Sequence, residues 1–552
     1  MTNVERSYQV TVSIDFGTTY SGCCFCLTED FDDINVVTKW PKCNSFYAKA
    51  PSSLYYKNKN GKLLDWGKGA RLLSLKPNQD GTLLQYFKLA LIQDDIPLPD
   101  GKTPVEIISD YLRSFHEYVV EQIQKTKGFQ QYKQYEYKYC LTVPAIWSDK
   151  AKALMRESAI RADIINATDP LERLVLISEP EAAAAYCENR YRSLDLRNDD
   201  MFMIVDAGGG TVDLVTYLVE DVQSSRTLRE VTKGHGGACG SAFIDQNMRH
   251  LLESRLGSDA KKMPACVFEI MMDTFVENIK PNYRGDENQY TIEVPATALK
   301  YIKSHLLNEN GQLVFDKNDL EDYVFGPVLS KAVTLVEDQL KKVGRFVNAV
   351  FLVGGFGSSF CLYEALKKYI DYGWVGEIAM PPRGELAVAE GAIYYILKPT
   401  LVSNKILRRS YGVRTRLPFE ESIDPESSAI VTADGIKRCS TRFEVIAIKG
   451  NCIEVGERIK RSYWVEYPKH TEVVLYTCDQ DIIPRQVTDE GVVKLAEFPI
   501  RMPLLPDVNS GERIDITVEF MFGVTEIHII IDIAGVTTEN ILESIDFYSS
   551  TM

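Results

Sequence analysis

Two short segments join a strand-end aspartate to small turn residues: Ile14-Asp15-Phe16-Gly17-Thr18-Thr19 and Val205-Asp206-Ala207-Gly208-Gly209-Gly210-Thr211. A polyphosphate needs backbone N–H groups in tight turns, presented by glycine and small hydroxyl residues that permit close approach. Its charge calls for magnesium, which favours carboxylates able to hold its water shell. Each segment supplies both. One copy alone would read as an ordinary Asp-Gly hairpin, its aspartate fixing its own turn. Two copies about 190 residues apart point to a duplicated device, and a cleft between two similar halves is a usual place for a ligand.

Positioning such turns requires buried strands. The runs Val10–Ile14, Tyr139–Val143, Met201–Val205 and Ala349–Val353 are apolar, rich in β-branched residues and followed by tight turns, so each predicts a strand. Apolar residues at three- and four-residue spacing over Val105–Lys125 and Leu329–Val343 predict helices between them. Strands alternating with helices imply an α/β fold with centrally buried sheets. Beyond Pro399 the texture changes to β-rich stretches such as Arg442–Ile448, Glu472–Tyr476 and Ile514–Phe520, separated by Pro, Gly and Asp/Asn turns. These predict a compact antiparallel β-unit, with Thr537–Met552 as one short closing helix.

Composition bounds the function. The 552 residues carry 62 basic and 77 acidic side chains, a formal charge of −15, which disfavours a general nucleic-acid binder. With 45% hydrophobic and 25% charged residues, disorder is not expected. The polar stretch Met1–Val10 lacks the apolar core of a signal peptide, and no run of about 18 apolar residues predicts a membrane span. Twelve scattered cysteines read as free thiols in a reducing, cytoplasmic setting. Cys23, Cys24 and Cys26 lie in a strand-like run and read as buried small hydrophobes rather than metal ligands.

From Val12 to about Leu397 the chain resembles the 70-kilodalton heat-shock chaperones of the actin, sugar-kinase and chaperone superfamily. Besides the two phosphate motifs, Thr142-Val143-Pro144-Ala145 is similar to the family's strand-end turn. Ile177 to Ala184 is similar to its connecting helix, Leu352 to Ser358 to its adenosine motif and Glu385 to Gly391 to its closing helix. The resemblance implies a two-lobed, actin-like nucleotide-binding domain with a duplicated ribonuclease H-like core. Lobe I would span residues 1–199 with an insert at about 40–115, and lobe II residues 200–397 with an insert at about 240–325. A smaller β-rich domain without a helical lid would occupy 398–552. Glu181 in place of a threonine, Phe356 in place of a serine, and no apolar-acidic linker after Pro399 point to an atypical branch, heat shock 70 kDa protein 12.

The resemblance also implies roles. Asp15 and Asp206 would hold magnesium through its waters. Gly17, Thr18, Thr19 and Tyr20 would meet the phosphates of ATP or ADP from one side, and Gly208, Gly209, Gly210 and Thr211 from the other. Lys88 would reach the terminal phosphate, while Glu179 and Asp213 would touch the water network of hydrolysis. Glu277 and Lys280, three apart, would close over the ribose and base, with Gly354, Gly355, Phe356, Ser358 and Glu385 nearby. Each has a plainer reading: a helix-dipole glutamate, a snorkelling lysine or a helix-surface ion pair. The glycine-rich Gly234–Gly240 loop, with His235 and Cys239, matches a loop near the phosphates rather than a catalytic Cys/His pair.

The function these readings imply is slow ATP hydrolysis that switches the β-rich domain's grip on an unfolded or partner protein. The alternative is a nucleotide-gated scaffold with little turnover. A sugar-kinase activity lacks a motif for its aspartate base. The resemblance does not carry co-chaperone coupling to this chain.

Overall fold

Strand β1 (Val10–Asp15) is buried along its whole length, which is why its sequence is a continuous apolar run rather than an alternating one. It pairs antiparallel with β2 (Tyr20–Leu27), and β2 in turn pairs with β3 (Asp30–Val36) and the short β4 (Lys49–Pro51). On its other side β1 pairs parallel with Tyr137–Val143, and that strand pairs parallel with Leu174–Ser178. The register sets Asp15 opposite Gly22, and Gly22 opposite Lys49. The computed structural model describes residues 8–43, 47–76, 80–93, 96–99, 101–190, 196–222, 225–432, 434–523 and 526–541.

A second sheet repeats the arrangement. Met201–Ala207, buried throughout, pairs antiparallel with Val212–Val222 and parallel with Val347–Val353, which pairs parallel with Val375–Ala379. Here the register sets Asp206 opposite Asp213. All four runs expected as strands are strands. Cys23, Cys24 and Cys26 are buried on β2.

Helix Pro104–Lys125 begins with a capping box in which Thr103 and Glu106 satisfy each other's backbone N–H groups, and its apolar stripe is buried. Helix Gly326–Val343 ends on Gly344, whose left-handed backbone closes the last turn. Helices Glu179–Arg190 and Ala387–Leu397 cross with their backbones in contact, since a Cβ at Gly391 would fall onto the Ala182 carbonyl. Among the described residues no helix is long and apolar enough to cross a membrane.

The chain divides into two compact units. The first holds Met1–Ile146, Ser158–Arg226 and Gly234–Leu401, and so contains all the strands named above. The second holds Trp147–Glu157, Thr227–Lys233 and Val402–Met552. Its β-rich part forms one antiparallel sheet in the order Ala429–Val431, Lys437–Ala447, Ser410–Pro418, Thr471–Cys478, Val492–Ile500. Another runs Arg458–Glu466, Arg513–Phe522, Ile527–Ile533, Val536–Ile541. The discontinuous segment is tied in by Arg156, whose guanidinium makes two 2.7 Å bonds to Glu526.

The closing helix expected over Thr537–Met552 does not begin as one. Ala534 and Gly535 both take positive φ and turn the chain back, so Val536–Ile541 adds a strand to Ile527–Ile533. Leu542–Met552 lies outside the described residues.

Candidate functional site

Both aspartate turns open into one cavity of about 1100 Å³ inside the first unit. From the first turn it is lined by Asp15, Gly17, Thr18, Thr19 and Tyr20, and from the second by Asp206, Gly208, Gly209, Gly210 and Thr211. The two turns nearly touch: a Cβ at Gly209 would meet Thr19, and one at Gly210 would meet Thr18. Among the described residues no protein acceptor meets the N–H groups of Thr18, Thr19, Gly209 or Gly210. Four such donors around one space form a cradle for anionic oxygens. Behind the second turn, the N–H groups of Gly240, Ser241 and Ala242 bond the carbonyls of Gly210, Gly208 and Gly209 at 3.1, 3.1 and 2.8 Å. The Gly234–Gly240 loop is therefore a buttress for that turn. Burial lifts the Cys239 thiol to about 11, far from an activated nucleophile.

Lys88 and Glu179 meet in the same cavity. Lys88 lies on a 3-10 turn, Phe87–Leu91, and Glu179 is the first residue of its helix. Nζ donates to Oε1 at 2.7 Å, with both side chains nearly buried. Burial, together with the charges of Asp15 and Asp213, outweighs the pull of Lys88 and raises the Glu179 carboxyl to about 7. Asp206 is driven upward as well, first by burial and then by Glu179, Asp213 and Asp15.

Sequence reasoning missed Lys49. Its ammonium donates to Asp15 Oδ2 at 2.7 Å, while Thr142 Oγ1 donates to Oδ1 at 3.3 Å. Burial opposes the lysine's charge, but the Asp15 carboxylate outweighs it and raises the Lys49 pKa. The available signal is a single cation among small apolar residues, Ala48-Lys49-Ala50-Pro51, because a buried lysine demands an anion. This pairing bears on magnesium. Each Asp15 oxygen already accepts from a protein donor, one of them cationic, so a hydrated divalent cation at Asp15 would compete with the Lys49 ammonium for the same carboxylate. Among the described residues no group of three or more His, Cys, Asp and Glu side chains is placed to hold a metal.

Glu277 and Lys280, expected to close over a ribose and base, both line the cavity but bond different partners. Phe275–Ile279 widens into a π-helical turn, and Lys280 instead bonds Asp245 at 2.7 Å and the Ser241 carbonyl at 2.9 Å. Glu277 faces Lys68 and Arg71 at 3.8 and 3.9 Å. Arg71 also lies over the Tyr20 ring, 5.4 Å from its centre. Glu277, Lys280, Gly354, Gly355 and Phe356 all line the cavity. Asp213, Ser358 and Glu385 are not among its lining residues. Asp213 is fully buried and accepts from the Ile146 N–H at 3.2 Å. Ser358 donates to the Gly354 carbonyl at 2.9 Å, and Glu385 approaches Arg383 at 4.0 Å.

The comparisons give this cavity its context. The chain is 25% identical to heat shock 70 kDa protein 12A of Homo sapiens and of Mus musculus, with 98% of this chain and 92% of each relative aligned. Against heat shock 70 kDa protein 12B of Homo sapiens it is also 25% identical, over 99% of this chain and 92% of the relative. Its relatives are atypical 70-kilodalton heat-shock proteins. No protein-family model matches the chain. The similarity extends past both aspartate turns into the second unit, so these heat-shock relatives match the whole molecule rather than the cavity alone.

Proposed function

We propose that the cavity binds an adenine nucleotide, in the manner of a two-lobed actin-like ATPase, and that its occupancy alters the affinity of the β-rich second unit for a partner protein. The observation that carries this reading is the convergence of two aspartate turns, four uncommitted N–H donors and the Lys88–Glu179 pair on one nucleotide-sized space. The cradle would orient the phosphate chain. Glu179, with a pKa near neutrality, can take a proton from an attacking water, and Lys88 can offset charge on the terminal phosphoryl group. Water adding to phosphorus and ADP departing would complete slow hydrolysis. Magnesium bound through Asp15 is not part of this proposal.

The engagement of Lys88 with Glu179 favours a second reading, nucleotide-gated binding with little turnover, because each group is partly consumed by the other. Thermal-shift titration with ATP, ADP and GTP tests binding: adenine nucleotides should raise the unfolding midpoint, and an equal response to GTP would remove base selectivity. Single-turnover hydrolysis separates the readings. If chemistry occurs, Lys88→Ala should slow it by about 10²-fold; wild-type turnover no faster than this variant selects the gated binder.

A further inference from the structure

Lys49 reaches its aspartate by an unusual route. Asp15, Gly22 and Lys49 stand side by side across β1, β2 and β4, and the absence of a side chain on Gly22 opens the path. A Cβ there would lie 3.2 Å from Lys49 Cγ and 3.5 Å from its Cε, so the lysine stem runs directly over the glycine. The stem delivers the ammonium to the cavity wall, 2.7 Å from Asp15 Oδ2. An ammonium has three donors, and Asp15 takes one. The same wall carries the open N–H groups of Thr18 and Thr19.

We propose that Lys49 is a resident counter-cation of the phosphate cradle, so that polyphosphate binds this chain without a divalent cation. The proposal rests on the nucleotide reading above and deepens it: the ligand class is free, uncomplexed nucleoside di- or triphosphate. A divalent ion ordinarily brings positive charge and ordered donors to the carboxylate and phosphates together. Here the charge is covalently attached, positioned by strand register, and present before the ligand arrives. The remaining ammonium donors and the backbone N–H groups meet the phosphate oxygens.

The test is isothermal titration of the full chain with ADP, in excess magnesium and in excess EDTA. The expected result is affinities within about threefold of each other. Binding that survives in magnesium but weakens tenfold or more in EDTA overturns the proposal and leaves the nucleotide reading standing. Absence of binding in both buffers overturns both. A second arm uses Lys49→Met/Asp15→Asn, which removes both charges and so leaves no lone buried carboxylate, with circular dichroism confirming the fold. In EDTA this variant should bind ADP at least tenfold more weakly than wild type. Wild-type affinity in the variant would show that the ammonium does not serve the phosphates.

Discussion

The two aspartate turns share a sequence device and a register, yet they differ at the residue facing the aspartate. In the first sheet Asp15 faces Gly22, and through that gap it receives Lys49. In the second sheet Asp206 faces Asp213, so carboxylate stands opposite carboxylate. One turn has its cation in contact, whereas in the other burial, followed by the charges of Glu179, Asp213 and Asp15, pushes the Asp206 carboxyl well above its ordinary range. A duplicated backbone therefore need not imply a duplicated electrostatic role. The cross-strand neighbour decides whether an acid arrives already paired or waits for a ligand.

The difference can be broken most strongly at Lys49. Lys49→Met strands a buried carboxylate and should lower stability by about 3–5 kcal/mol, measured by urea unfolding. Substituting both members, as in Lys49→Met/Asp15→Asn, should recover most of that loss. Gly22→Val blocks the lysine's path, and overpacking there should cost about 1–3 kcal/mol while leaving the second turn unaffected.

The acid-rich side should show itself in pH dependence. The Glu179 carboxyl is raised from 4.5 to about 7 in the fold, so its contribution to stability is complete below pH 4.5 and is lost as pH rises through about 7. Asp206 shifts in the same direction. Unfolding midpoints should accordingly fall across that window, and Glu179→Gln should flatten the slope; an unchanged slope would contradict the assignment. Glu277→Gln serves as the control outside both turns. Its side chain is 52% exposed and its cationic partners lie near 4 Å, so stability should change by less than about 0.5 kcal/mol.

Strands and turns were legible in the sequence because their signals are local. A strand buried on both faces announces itself as an unbroken apolar run, as Val10–Ile14 and Met201–Val205 do, and an aspartate before glycines and threonines marks where it must stop. Partners were less legible. Lys49 lies 34 residues from Asp15, and only the register of β4 on β2 brings them together. The three-residue spacing of Glu277 and Lys280 suggests a helix-face pair, but the π-helical turn changes the angular offset on which that inference depends. Toward the end of the described residues, the helix expected from Thr537 onward gives way because the Ala534-Gly535 turn and the open edge of Ile527–Ile533 draw Val536–Ile541 into a sheet.

The backbone contact between Gly391 and Ala182 acts as a locking pin. Two helices that touch so closely resist sliding, because translation along either axis would drive main chain into main chain. Glu179 begins its helix three residues before the pin, about 4.5 Å along the axis, whereas Arg190 ends it about 12 Å beyond. The far end is held as well, because Arg190 lies 3.7 Å from Glu390 and over the Tyr394 ring of the same partner helix, so Glu179 meets Lys88 from a helix fixed at both ends.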